Sequence, residues 1–273
     1  MKHFYFMLLS LLSLFSLNSL AQDPKWTNYY KIPERIEEKD YSISFQDIVS
    51  RMTFVKMAIE IQNNSNDYLI YKTEETSYSF DFGKYSAESK IVYINPHQSK
   101  KKTIKAEGSN QFINEKFTLL IDGLYRVPSE GKVIRIEQFQ LPASQNEIQV
   151  GDFIIKLLKL KKTTAETVAK FECTYTGDKV AIVNASKLSV TIDGKENIVY
   201  ANDDKKVKDQ LLLKGESLSF NAIFHIPGKI ADMQFATMQI IWNDTFIVSE
   251  AIKVEPVQQN FVLDPGLTQG KNK

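Results

Sequence analysis

The chain has 273 residues, of which 43% are hydrophobic and 25% charged, and its 34 basic against 33 acidic side chains leave a formal net charge of +1 at pH 7. That balance lacks the basic excess with which nucleic-acid binders neutralise phosphates, and the apolar share is too high for a disordered chain. A single cysteine, Cys173, excludes a disulfide within one chain.

Met1–Ala21 has a basic start at Lys2, an apolar stretch from Phe4 to Phe15 and small residues at Ser19 and Ala21, the pattern of a cleaved signal peptide. Cleavage is expected before Gln22, and since no cysteine follows, no lipid anchor is expected there. Removing Lys2 with the leader takes the formal charge from +1 to zero. No later stretch is apolar enough for a transmembrane helix. The expected compartment is the periplasm or the extracellular space.

Gln22–Asp40, with Pro24, Pro33 and a charged cluster, reads as an extended lead-in. Its Trp26, Tyr29 and Tyr30 are expected to lie on the surface of the first domain, the alternative being an exposed partner-binding motif.

From Tyr41 the pattern becomes that of a sheet. In Phe54–Gln62, Val55, Met57, Ile59 and Ile61 fall on one face and Lys56, Glu60 and Gln62 on the other. Asn63 to Asp67 form a turn, since their side chains bond locally to backbone, and Tyr68–Thr73 restarts in residues that favour strands. Further strands are expected at 43–49, 78–82, 90–94, 102–106, 115–121, 125–127 and 132–139, which makes 41–142 a first β-sandwich domain. Lys100, Lys101 and Lys102 read as the lysines of a protected edge strand or a solvated turn.

The same plan returns in a second domain, 148–256, after the polar break Pro142–Glu147. Phe171, Cys173 and Tyr175 repeat the alternation of the first domain, with Cys173 in the place of Ile61. Gly194 repeats Gly83, Ser217 repeats Ser99 and Trp242 repeats Ile121, with Asp122-Gly123 and Asn243-Asp244 expected at corresponding hairpin tips. Four matches in the same order indicate an internal duplication of an all-β unit. Phe153–Leu160 is read as a strand, although Ile154, Ile155, Leu157 and Leu158 blur its alternation and Lys156, Lys159, Lys161 and Lys162 allow a basic amphipathic helix. Residues 257–273 are expected to be a disordered tail.

The second domain, with its Val150-Gly151-Asp152 opening, its Asp193-Gly194-Lys195 and Lys214-Gly215-Glu216-Ser217 turns and its Phe224-His225-Ile226-Pro227 ending, resembles the immunoglobulin-like domains of bacterial secreted and lipoprotein families of unknown function. The resemblance implies two tandem immunoglobulin-like sandwiches and an envelope or extracellular life, and it carries over no catalytic residue. The first domain departs from the pattern, because Pro96-His97-Gln98-Ser99 lacks the glycine.

Chemistry is sparse. Beyond the leader only His97 and His225 remain, at corresponding places in the two repeats, and neither has a second ligand at zinc-site spacing. Nucleophile elbows, phosphate-cradling glycine loops and calcium loops are missing. Glu74-Glu75 and Asp203-Asp204 read as solvated charges, and Cys173 as a buried thiol acting as a small hydrophobe. Asn63, Asn184 and Asn243 each begin an N-x-S/T sequon. The expectation is a non-catalytic exported interaction protein whose sandwich edges and loops bind an envelope or extracellular protein, with no cofactor, no metal and no nucleic acid. Carbohydrate binding is the alternative, through an exposed row drawn from Tyr78, Tyr85, Tyr93, Tyr200 and Trp242.

Overall fold

The computed structural model describes residues 25–273 apart from Gln138, so the leader over 1–21 lies outside the described residues. The chain forms several antiparallel sheets, none closed into a barrel. In the first half the strands are β1 (Asn28–Tyr29), β2 (Ile36–Glu37), β3 (Tyr41–Arg51), β4 (Phe54–Asn63), β5 (Tyr68–Lys72), β6 (Thr76–Phe80), β7 (Gly83–Ser86), β8 (Ile91–Ile94), β9 (Ser99–Glu107), β10 (Lys116–Ile121), β11 (Leu124–Val127), β12 (Lys132–Val133) and β13 (Phe139–Leu141). In the second half they are β14 (Glu147–Val150), β15 (Phe153–Lys162), β16 (Glu166–Tyr175), β17 (Val180–Val183), β18 (Ser189–Ile192), β19 (Lys195–Ala201), β20 (Gln210–Leu212), β21 (Ser217–His225), β22 (Met238–Ile241), β23 (Phe246–Ser249), β24 (Ile252–Lys253) and β25 (Val257–Val262).

The expected alternation holds on both outer layers. Val55, Met57, Ile59 and Ile61 of β4 are each at most 1% exposed, as are Ala169, Phe171, Cys173 and Tyr175 of β16. The blurred pattern of β15 has a local cause: its pairing with β16 skips between Leu157 and Lys159, a bulge that moves successive side chains off strict alternation. This strand, and not the amphipathic helix, is what forms.

The element order repeats, down to a short 3-10 turn at Thr73–Glu75 after β5 and another at Ala185–Lys187 after β17. In each unit one layer is a three-strand run, β3-β4-β9 or β15-β16-β21. The facing layer is a stepped pair of sheets, ordered β25-β10-β6-β7 and β24-β11-β5-β8 in the first unit, and β13-β22-β18-β19 and β12-β23-β17-β20 in the second. Each strand of one sheet runs on into its neighbour in the other. Asp122-Gly123 is therefore a step inside a through-running strand and not a hairpin tip, because β10 pairs β6 while β11 pairs β5. The step brings Gly123 against the other strand, where a Cβ would lie 2.0 Å from the Lys72 carbonyl oxygen, so only glycine fits. Asn243-Asp244 is the same kind of step, between β22 on β18 and β23 on β17.

The sheet pairings also correct the expected boundaries. Strand material at 132–141, expected in the first unit, pairs with the second: Lys132 opposes Val248, and Leu141 opposes Met238. Reciprocally, β24 and β25 return to the first, with Arg126 opposite Ile252 and Phe117 opposite Phe261. Each unit is thus completed by two strands that follow the other unit's last through-running strand. Residues 257–273 are accordingly ordered as β25 and the helix Pro265–Lys271, whose Asp264 cap accepts from Leu267 N–H at 2.9 Å. Thr268 of that helix and Asn272, which follows it, bind the backbone of Tyr29 and Thr27.

Two large cores result, and a smaller cluster joins them. It is formed by Tyr68, Ile70 and Val127 from the first unit and Val180, Ile182 and Leu211 from the second. Across it Tyr68 donates to Asp209 Oδ2 at 2.7 Å and Tyr93 to Glu216 Oε2 at 2.6 Å. The cluster is apolar at its centre and hydrogen-bonded at its rim, so it fixes the units against one another.

Candidate functional site

The residues singled out for chemistry are spread apart and locally satisfied. His225 stands opposite Glu166 across the β16–β21 pair, with Nδ1 3.8 Å from Glu166 Oε2 and Nε2 3.6 Å from Asp203 Oδ2. Both separations exceed hydrogen-bond reach, and the imidazole is half exposed. His97 binds Asn66 Oδ1 at 2.8 Å on the surface. Its φ of +56° occupies the left-handed position that Gly215, at +84°, takes in the second unit, which explains how that turn forms without glycine and shows that His97, before β9, is not the counterpart of His225 at the end of β21.

Cys173 is fully buried, and burial pushes its thiol pKa up to about 12, so no thiolate is present near neutral pH. Glu75, expected to be solvated, accepts the Tyr125 hydroxyl through both oxygens at 2.9 and 2.7 Å and pairs with Lys253. It lies on the 3-10 turn Thr73–Glu75 and not on a strand. Asp203 is held below the usual carboxylate range by its hydrogen bond from Lys205.

The five aromatics do not line up on a surface. Tyr78 and Trp242 are 0% and 1% exposed, Tyr93 sits at the joint between units, Tyr85 packs on Phe112 and Tyr200 on the second core. In the lead-in, Tyr30 is buried edge-on against Phe117, sharing a hydrogen bond with Ser50 and donating to the Asn114 carbonyl. Tyr30 therefore belongs to the first unit's core rather than lying on its surface. Lys100, Lys101 and Lys102 belong to β9, an edge strand that among the described residues pairs only with β4. Asn63 is fully buried, with its amide donating to the Asp67 and Asn95 carbonyls, so its sequon is closed to modification in the folded chain.

What the sequence reasoning missed lies at one end of the second unit. Pro227 ends β21, and the loop that follows is pinned on three sides. Met233 is buried and donates its N–H to the Thr164 carbonyl at 3.1 Å, Lys195 Nζ donates to the Ile230 carbonyl, and Lys162 Nζ to the Ala236 carbonyl. Asp232 then closes a tight turn, accepting from Phe235 N–H and Ala236 N–H at 3.1 and 3.0 Å. The turn leaves the Phe235 ring 83% exposed. Thr237 accepts from Asp193 N–H at 3.1 Å, which sets this loop beside the Asp193-Gly194-Lys195 turn and the start of β19.

Among the described residues β19 is an edge strand paired only with β18, and Ile198 and Val199 on it are 40% and 57% exposed. It lacks the close lysine spacing by which β9 discourages pairing. An aromatic held outward on a fixed turn, in a loop that adjoins the start of an open strand edge, is an arrangement suited to binding a protein surface.

No family model and no curated protein matches the chain. Among solved structures, a red sea bream transglutaminase is 6% identical over 80% of this chain and 31% of its own, with a TM-score of 0.20. The secreted serine protease VesC from Vibrio cholerae is 10% identical over 87% of this chain and 53% of its own, with a TM-score of 0.16. A CBM22-1-CBM22-2 tandem domain from Paenibacillus barcinonensis Xyn10C is 10% identical, covering 85% of this chain and 99% of its own, with a TM-score of 0.19. The chain spans less than two thirds of the first two. Likenesses at these scores carry no argument about fold or function.

Proposed function

We propose that the chain is an exported, non-catalytic interaction protein of two immunoglobulin-like sandwich units, which binds an envelope or extracellular protein through open strand edges and loops of its second unit. The observation that carries this reading is Phe235, 83% exposed on a turn that backbone and lysine hydrogen bonds hold in place. Solvating an aromatic ring on an ordered turn wastes apolar burial of about 2–3 kcal/mol unless a partner covers it. The open edge of β19 with Ile198 and Val199 supplies the neighbouring surface. The reading without catalysis is supported by the half-exposed His225 and the protonated, buried Cys173. The carbohydrate alternative loses its named platform, since Tyr78 and Trp242 lie in the cores.

The test is affinity capture from the native envelope with the mature protein, set beside Phe235→Ala and Val199→Lys. Both substitutions sit on the surface and are expected to leave the fold intact, which circular dichroism checks. A protein that co-purifies with the wild type is expected to be lost or reduced at least severalfold with each variant. Equal capture by all three proteins would remove this interface from consideration.

A further inference from the structure

The two units differ at one place where the repeat should make them alike. In the first, the outer side of β3 beyond its bulge is covered: Asn28 and Tyr29 of β1 pair with Ser50 and Val49. The covering segment then bridges to the facing layer through Tyr30 and Leu263, with Lys31 N–H donating to the Val262 carbonyl at 2.9 Å. In the second, β14 pairs with β15 only from Phe153 to Lys156, and Leu157 N–H adds one bond to the Asn146 carbonyl. Past that point no strand among the described residues covers the outer side of β15. Both strands carry a bulge within one ladder position of the same place, between Gln46 and Val49 in β3 and between Leu157 and Lys159 in β15. The uncovered stretch Leu158–Lys162 is therefore the counterpart of the stretch that β1 fills.

The bare stretch is also basic. Lys159 stands directly opposite Lys170 in the ladder, and Lys161 follows two residues on. All three are exposed, and none forms an ion pair with a carboxylate among the described residues. Like charges directly opposite on a sheet are destabilising, so this arrangement is unfavourable in the protein alone and is relieved by an anionic group. Leu158 beside them is 48% exposed. At the end of the same stretch Lys162 holds the loop that presents Phe235.

We infer that Leu158–Lys162 of β15 is an acceptor edge for an extended, acidic segment of the protein partner, which adds as a strand where β1 adds in the first unit. The inference rests on the interaction reading above and specifies its partner's chemistry. Backbone pairing along β15 supplies the geometry, carboxylates facing Lys159, Lys161 and Lys170 supply the charge, and an apolar residue at one end meets Leu158 or Phe235.

The experiment uses the full mature chain and two labelled synthetic peptides, one alternating glutamate with valine and tyrosine, the other with lysine in place of each glutamate. Vesicles containing phosphatidylglycerol serve as a third probe. Fluorescence anisotropy is expected to show the acidic peptide binding roughly tenfold or more tightly than the basic one, with the preference abolished in Lys159→Glu/Lys161→Glu. Amide hydrogen exchange is expected to show new protection confined to 158–162. Absence of peptide preference, protection elsewhere, or binding to the vesicles alone would each overturn the assignment. Phe235→Ala separates this inference from the reading it rests on. Peptide selectivity that persists while native capture is unaffected by Phe235→Ala supports the acceptor edge and removes the Phe235 interface. Native capture that depends on Phe235 without peptide selectivity does the reverse.

Discussion

Phe261 lies flat on Phe117, with ring centroids 4.8 Å apart and 14° between the planes, although one ring belongs to the last strand of the chain and the other to the first unit. Phe261 is 1% exposed and also meets Phe45 edge-on at 5.3 Å. The first unit's core is thus closed by a residue that sequence order assigns to the second. Phe261→Ala is expected to destabilise the protein by about 3–5 kcal/mol through the lost burial and the cavity left behind. In urea unfolding, the loss is expected to appear in signals from Tyr residues of the first unit. An unchanged midpoint would show that β25 is dispensable to that core.

The tyrosines at the joint between units make stability fall at alkaline pH. Burial, followed by the hydrogen bond and charge of Asp209, raises the pKa of Tyr68, and burial followed by Glu216 does the same for Tyr93. A phenol whose folded pKa lies above its unfolded value of 10.0 loses no stability below pH 10 and loses it progressively above, because the unfolded chain ionises first. Urea midpoints are therefore expected to hold between pH 7 and 9 and to drop by pH 10.5. Tyr68→Phe and Tyr93→Phe are each expected to cost about 1.5–3 kcal/mol at pH 7, where the hydroxyl donates to a carboxylate, and to flatten part of the alkaline fall. The remainder belongs to the other tyrosines that burial raises, Tyr30, Tyr41, Tyr71, Tyr78, Tyr125 and Tyr175.

Cys173 packs at 0% exposure among Phe171, Tyr175 and Leu218. With its pKa near 12, the folded protein is expected to leave a thiol reagent unreacted at pH 8 and to react at once when denaturant is added. Cys173→Ser is expected to cost about 1–3 kcal/mol, since a buried hydroxyl needs a partner that a thiol does not. Rapid labelling of the native protein would place the side chain at the surface instead.

Side-chain alternation made most strands legible, including β4 and β16, because a half-buried strand has to show a period of two whatever it pairs with. The same period is silent about the pairing partner. Lys132 and Val133 fit either unit by pattern, and only their ladder with Val248 and Ile247 decides. Phe261 was the available signal in the tail, an aromatic alternating with Asn260 and Gln258, but the surrounding polar residues matched a disordered end. The strand β19 went unseen because its exposed, charged start offers no buried face to read. Phe235 escaped for a related reason: its meaning lies in exposure on a turn fixed by Asp232 and Lys162, and exposure is set by tertiary contacts rather than by local pattern. The lysines of β15 are plain in the sequence, but only the missing counterpart of β1 gives them a role.

The reciprocal loan of strands sets an order of events for a chain made from its amino end. Residues up to Val127 can assemble most of the first sandwich as they emerge, yet the partner ladder for Lys116–Ile121 arrives only with Val257–Val262. A chain synthesised in that direction keeps one flank of its first half bare until Val257–Val262 is delivered. A ribosome stalled or a stop codon placed anywhere before Ile252 therefore yields a sticky fragment rather than one finished half.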